Sequence, residues 1–183
     1  MVTFNTAKSD KDLLEILELQ RINYPENLTD EEIKKEGFVT VKHDFDILKA
    51  MNERYQHAIA KYEDGVVAYA LVMLQEFGKD IDILKPMFKK FNTLSYGGTP
   101  LQKISYVIMG QICVAKEFRG QSLVHGLYET LRSQLKKEFD LIITEVATRN
   151  QRSIKAHSKV GFELLNRYVS PDGEEWDIIG LRF

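Results

Sequence analysis

Between Tyr106 and Val160 the chain alternates twice between strand-like and helix-like segments, and no other feature narrows its folding options as much. Tyr106–Val114 is rich in β-branched and aromatic residues, which suit a pleated, half-buried surface. Gln121–Glu138 carries Leu123, Leu127, Leu131 and Leu135 every four positions, the apolar stripe of a long helix. Asp140–Ala147 reads as the next strand, and Asn150–Val160 as a second helix stopped by Gly161. Strands and helices in this order call for a sheet with helices laid against it.

The alternation extends nearly end to end. Val2–Thr6 alternates apolar and polar residues and predicts a short strand. Ser9 caps a helix whose apolar face holds Leu13, Leu14, Ile16 and Leu17, and Pro25 ends that region. Thr29 with Glu32 is a capping-box pattern, which predicts a helix from Asp30 to about Glu36 stopped at Gly37. Asp44–Arg54 is a third helix with Phe45, Leu48 and Met51 on one side. Glu63-Asp64-Gly65 between His57–Tyr62 and Val66–Glu76 predicts a hairpin. Asp80–Leu94 is helix-like, with Pro86 starting or kinking it. Tyr96–Pro100 is a loop, either overhanging a cleft or an inert insertion. Phe162–Val169 and Glu174–Phe183 close the chain as a hairpin around Pro171-Asp172-Gly173. With no internal repeat and no Pro/Gly/Ser linker, residues 1–183 are expected to form one mixed α/β domain.

Composition excludes several classes. Lys+Arg total 25 against 27 Asp+Glu, so the chain lacks the basic excess of a nucleic-acid binder. The paired lysines Lys34-Lys35, Lys89-Lys90 and Lys136-Lys137 read as solvated helix faces. The longest apolar run, Val66–Leu74, falls far short of the roughly 20 residues that span a bilayer. Met1–Asn5 resembles no signal sequence, so a cytoplasmic protein without a membrane anchor is expected. Cys113 is the only cysteine, which fits a reducing compartment and excludes a disulfide framework or a Cys-rich zinc site; no metal is expected.

Two segments carry chemistry. Val114 to Val124 lies where a strand ends and the long helix begins. A helix start presents unpaired N–H groups and the positive end of the macrodipole, and phosphates bind there. Gly120 permits close backbone approach, and Arg119 adds a fixed charge. The second segment runs from Thr144 to Phe162. Glu145 sits in an otherwise apolar strand, where a carboxylate is costly unless paired or used. Asn150 stands at a strand-to-helix junction, the place of a helix cap. Ser153 and His157, four apart, share a helix face. An imidazole suits proton transfer near neutral pH.

Together these segments resemble the GNAT superfamily of N-acyltransferases, which move an acyl group from acyl-CoA to an amine. The first motif of that family, Arg/Gln-x-x-Gly-x-Gly/Ala opening a helix, reads here Arg119-Gly120-Gln121-Ser122-Leu123-Val124. The second, an Asn, a helix carrying a Tyr and a closing Gly-Phe, reads Asn150 to Gly161-Phe162. The resemblance implies a mixed, mostly antiparallel central sheet flanked by helices, with splayed central parallel strands. It implies acetyl-CoA as acyl donor, with the backbone of Gly120, Gln121, Ser122, Leu123 and Val124 cradling its pyrophosphate. Ile112, Cys113 and Val114 would pair with the pantetheine arm, and Asn150 and Ser153 would also contact the cofactor. In ribosomal-protein N-acetyltransferases of this superfamily a Glu on the equivalent strand is the general base, and a Tyr twelve residues later the general acid. Glu145 and His157 keep that separation.

The implied reaction is direct transfer to a primary amine. Glu145 takes the amine proton, His157 protonates the CoA sulfur, and a main-chain N–H near Cys113 or Val114 stabilises the oxyanion. An acyl-enzyme on Cys113 is disfavoured, because a buried cysteine is usually inert packing. Ser122, Val124 and His157 depart from the family pattern. They motivate an alternative, a weakly active or inactive acyl-CoA-binding sensor, and a further one, a scaffold without cofactor. The acceptor stays open between a small molecule and a peptide amine. Its side of the fold would be built by Gln20–Phe45 and Phe77–Lys103, with Tyr24, His43, Phe77 and Tyr96 as candidate liners. A homodimer through the final hairpin is also left open.

Overall fold

The structure is a computed structural model that describes residues 1–79 and 84–183. In chain order it comprises β1 (Val2–Thr6), α1 (Asp10–Ile22), α2 (Asp30–Glu36), α3 (Phe45–Arg54), β2 (Ala58–Tyr62), β3 (Gly65–Met73) and α4 (Lys85–Phe91). There follow β4 (Ser95–Tyr96), β5 (Thr99–Pro100), β6 (Tyr106–Val114), α5 (Leu123–Leu135), β7 (Leu141–Ala147), α6 (Gln151–Val160), β8 (Glu163–Val169) and β9 (Glu175–Arg182). Four helices begin on side-chain caps. Ser9 and Thr29 form capping boxes with Asp12 and Glu32, while Asp44 and Asn150 cap α3 and α6.

Seven strands form one sheet in the order β1-β2-β3-β6-β7-β9-β8. All neighbours are antiparallel except β6 and β7, so the mixed α/β class expected from the sequence is the one formed. On one face Leu13, Ile16, Leu48, Met51, Met87 and Phe91 of α1, α3 and α4 pack with Tyr69, Leu71, Ile108 and Ile143. On the other, the leucine stripe of α5 packs with Ala58, Ala60, Ala68 and Ala70, whose small side chains let the helix lie close to the sheet.

The central parallel pair is short. β6 and β7 are in register only over Tyr106↔Leu141, Val107↔Ile142 and Ile108↔Ile143, and then part. The cause lies on the other side of β6. Its register against β3 jumps from Val72↔Met109 to Leu71↔Gln111, which leaves Gly110 as an extra residue. A bulge bends its strand and reverses the alternation of side chains beyond it. Ile108 and Cys113 therefore share one face, although an unbroken strand would put them on opposite faces.

Several local expectations are corrected. Leu14 is 56% exposed, and the buried set on α1 is Leu13, Ile16, Leu19 and Gln20 with the capping Asp12. β3 stops at Met73, where the chain enters a short 3₁₀ turn over Gln75–Lys79. The first residues of the expected Asp80–Leu94 helix, 80–83, lie outside the described residues. The helix itself runs Lys85–Phe91 with Pro86 in its first turn, where a missing N–H costs nothing. Tyr96–Pro100 is not an open loop but a tight hairpin, Ser95↔Pro100 and Tyr96↔Thr99, around Gly97 and Gly98 at φ +55° and +81°.

The α5 interface is the sheet's cover on that face, and its core residues bear the load. Leu131→Ala is expected to cost about 2–5 kcal/mol in urea unfolding, and Leu14→Ala within about 0.5 kcal/mol.

Candidate active site

Where β6 leaves β7, a cleft of about 540 Å³ opens. Ile112, Cys113 and Val114 line it from β6, Phe118–Gly120 and Ser122–Val124 from the turn into α5, and Asn150, Arg152, Ser153, His157 and others from α6 and its cap. Gly37, Phe38 and Val39, just after α2, line it as well. A smaller cavity of about 70 Å³ occupies the notch between the strands. It shares Phe38, Ile112, Asn150, Ser153 and His157 with the cleft and adds Gln111, Thr144, Glu145 and Trp176. The cleft wall carries Arg119, Arg152, Lys155 and Lys159 and no Asp or Glu. In a chain with more acids than bases, that makes the cleft suited to an anion.

The turn into α5 explains part of this. Gly120 has φ +80° and Ser122 φ +58°, ψ +23°, so left-handed residues alternate with ordinary ones and the backbone N–H groups converge into a concavity. Ser122 makes no side-chain cap, unlike the residues that open α1, α2, α3 and α6. The helix start thus keeps its positive end uncovered. Arg119 is fixed in place. Its Nε donates to the Val114 carbonyl at 3.0 Å and its Nη2 to Asn23 Oδ1 at 2.7 Å, tying the turn to the end of α1. Gln121 turns away, donating to the Glu117 carbonyl, and does not line the cleft.

The main chain of β6 is divided between two sides. Ala115 N–H donates to Val67 on β3 at 2.8 Å. Antiparallel alternation then directs the N–H of Cys113 to β3 as well, and those of Ile112 and Val114 to the open side. Cys113 is therefore removed as an oxyanion donor and as a main-chain partner for an arm in the notch. Burial pushes its thiol up to about 12, against a smaller opposing pull from Arg119, so it is not a nucleophile.

Glu145 is half-buried on β7 and accepts a hydrogen bond from Tyr168 of β8 at 2.7 Å. Loss of water pushes its carboxyl up to about 7, and the Tyr168 bond only partly offsets this. His157 is 2% exposed, packed edge-on against Tyr128 and Phe162. Its Nδ1–H donates to the Ser153 carbonyl at 2.8 Å, and Nε2 has no partner among the described residues. Burial lowers its pKa to about 4. The resting imidazole is thus neutral, with a lone pair on Nε2, and not the charged acid that titrates near neutrality. The group that titrates there is Glu145.

Asn150 lines both cavities, but its Oδ1 is engaged as the α6 cap, accepting from Ser153 N–H at 3.2 Å, and it packs on Gly37. Tyr24, His43, Phe77 and Tyr96 line neither cavity. Tyr24 and His43 bond to Gln20, and Arg182 lies over the Tyr96 ring. Of the expected Gln20–Phe45 stretch, Phe38–Thr40 line the smaller cavity. Tyr168 and Asn23 were missed. Neither carries a local signal, since each meets its partner only through the sheet or across the cleft.

The sequence profile of the Acetyltransferase (GNAT) family matches residues 13–162. The chain belongs to the GNAT acetyltransferase family. No curated protein sequence matches it. Solved structures that share the fold include the following three. The ribosomal-protein-S18-alanine N-acetyltransferase of Escherichia coli superposes with TM-score 0.63 at 16% identity, over 100% of this chain and 94% of that one. The yncA protein of Salmonella typhimurium, with its cofactor acetyl-CoA, gives 0.65 at 15% over 100% and 94%. The NatC complex bound to Gag peptide and CoA gives 0.65 at 10% over 100% and 98%.

Within the GNAT motif, the glycine preferred at the position of Ser122 has a backbone reason here, because the residue sits in the left-handed region. Ser122→Gly is expected to raise stability by up to about 1 kcal/mol, and β-branched Ser122→Val to lower it by more than about 1 kcal/mol, in urea unfolding. Glu145 gives a pH signature. Its folded pKa lies above the unfolded value, so its contribution is present in acid and lost as pH rises through about 7. Glu145→Gln is expected to raise the Tm relative to wild type at pH 8 and to leave it nearly unchanged at pH 4.5.

Proposed function

We propose that this chain is an N-acetyltransferase that moves an acetyl group from acetyl-CoA to a primary amine by direct transfer. The observation that carries the proposal is the join between an anion-suited cleft and a strand notch ending on Glu145, a carboxyl with a pKa near 7. Acetyl-CoA and CoA in the neighbouring structures support the choice of donor.

The residues fit that donor. The turn Gly120–Val124 offers its N–H groups to a pyrophosphate, Arg119 braces the turn, and the open N–H groups of Ile112 and Val114 lie along the path of an extended arm. Acetyl-CoA supplies the thioester. Glu145 removes the proton from the attacking amine as the C–N bond forms, and the C–S bond breaks with the electron pair leaving on sulfur. The N–H of Val114 or Ile112 steadies the oxyanion. His157 lies beside this path at the join of the two cavities. It acts as an acid only after taking a proton at Nε2, a form that is scarce at neutral pH.

The acceptor is an amine of a small molecule or a peptide. The test is titration calorimetry with acetyl-CoA, followed by an amine panel read out as free thiol. Micromolar binding and turnover are expected, and binding without transfer to any amine would leave only a binding module. The rate should rise with pH through an apparent pKa near 7, a limb lost in Glu145→Gln together with about 100-fold or more of the rate. His157→Phe should keep that limb.

A further inference from the structure

α6 presents Arg152, Lys155 and Lys159 along one exposed side, at spacings of three and four residues, and all line the cleft. The helix contains no Asp or Glu. Among the described residues neither Lys155 nor Lys159 enters an ion pair, and like charges one turn apart repel in the free protein. The turn into α5 is already suited to one diphosphate, so these ammonium groups, carried by a different helix, are surplus to it. The arginine at the turn is also occupied, by Val114 and Asn23. What remains to be neutralised on a nucleotide-bearing thioester is its phosphomonoester, a dianion at neutral pH.

Resting on the proposed acetyl-CoA reading, we infer that Lys155 and Lys159 of α6 bind the 3′-phosphate of the donor and make this chain select acetyl-CoA over its 3′-dephospho form. Both forms share the pyrophosphate, the pantetheine arm and the thioester, so the α5 turn and the notch treat them alike. Two exposed ammonium groups beside a dianion act through screened charge, and their contribution falls as salt rises.

The test is titration of the whole chain with acetyl-CoA and with 3′-dephospho-acetyl-CoA at 50 and 500 mM NaCl. Wild type is expected to bind acetyl-CoA about tenfold more tightly at low salt, with the preference shrinking at high salt. Lys155→Ala/Lys159→Ala should lose the preference, weaken the dephospho form far less than acetyl-CoA, and melt at a similar temperature. Equal binding of the two forms by wild type would overturn the inference and leave the proposed function standing. An equal loss for both forms in the double variant would also overturn it, since the lysines would then serve the pyrophosphate. No binding of acetyl-CoA by wild type would overturn both readings.

Discussion

One extra residue in β6 governs the site. Gly110 interrupts the ladder with β3, so the strand bends away from β7 after only three paired positions. The consequences follow in sequence. The bend opens the notch, and it reverses side-chain parity, which turns Gln111 and Cys113 inward to Tyr69 and the α1 face. It also leaves alternate main-chain groups of β6 without a strand partner. In most folds unpaired groups at the centre of a sheet would be a defect. Here they face a cleft, where a ligand's amides can replace the missing strand.

The phosphate-suited turn depends on that strand and on α1. Arg119 adds charge to the turn, yet its Nε and Nη2 donate inward, to Val114 and Asn23. It holds the end of β6 to the end of α1, and Lys116 bridges to Glu32 of α2 at 2.9 Å. The segment that follows α2 supplies Phe38 and Val39 to both cavities. The turn into α5 and the Phe38–Val39 wall are therefore mechanically joined, and Gly37 seats that wall directly on Asn150, where a Cβ would come within 2.7 Å of the side chain.

Local signals were legible where local physics decides the outcome. The Ser9 and Thr29 caps, the Asp64-Gly65 hairpin and the leucine stripe of α5 all depend on residues within a few positions, and all formed as read. The turn Arg119–Val124 was legible as a motif, since its function rests on backbone shape. What could not be read was set by distant chain. Leu14 was assigned inward because three neighbours are apolar, and only the position of the sheet decides which of them is buried. The bulge at Gly110 looks like any glycine in a strand until β3 supplies the register. Glu145 was singled out as a carboxyl in an apolar strand, but its partner Tyr168 lies two strands away across β9. The ionisation of His157 was misjudged for the same reason. Its sequence neighbours are polar, and the aromatic rings that dry it come from α5 and from Phe162.

The same dryness acts on every ionisable group at the notch and with opposite signs. It raises the carboxyl of Glu145 and lowers the imidazole of His157, because each charged form loses water. An ammonium ion brought into this notch would suffer in the same way, and its pKa would fall toward neutrality. An amine must be neutral to attack, so the medium that penalises the Glu145 carboxylate also favours the reactive form of the acceptor. In the proposed reaction the pKa values of donor and base would thus move toward each other, which eases proton transfer between them. A notch lined with extra charge would separate those values again. The cations line the larger cleft and none lines the notch that holds Glu145, so the charge that attracts an anion is kept apart from the group whose pKa burial sets.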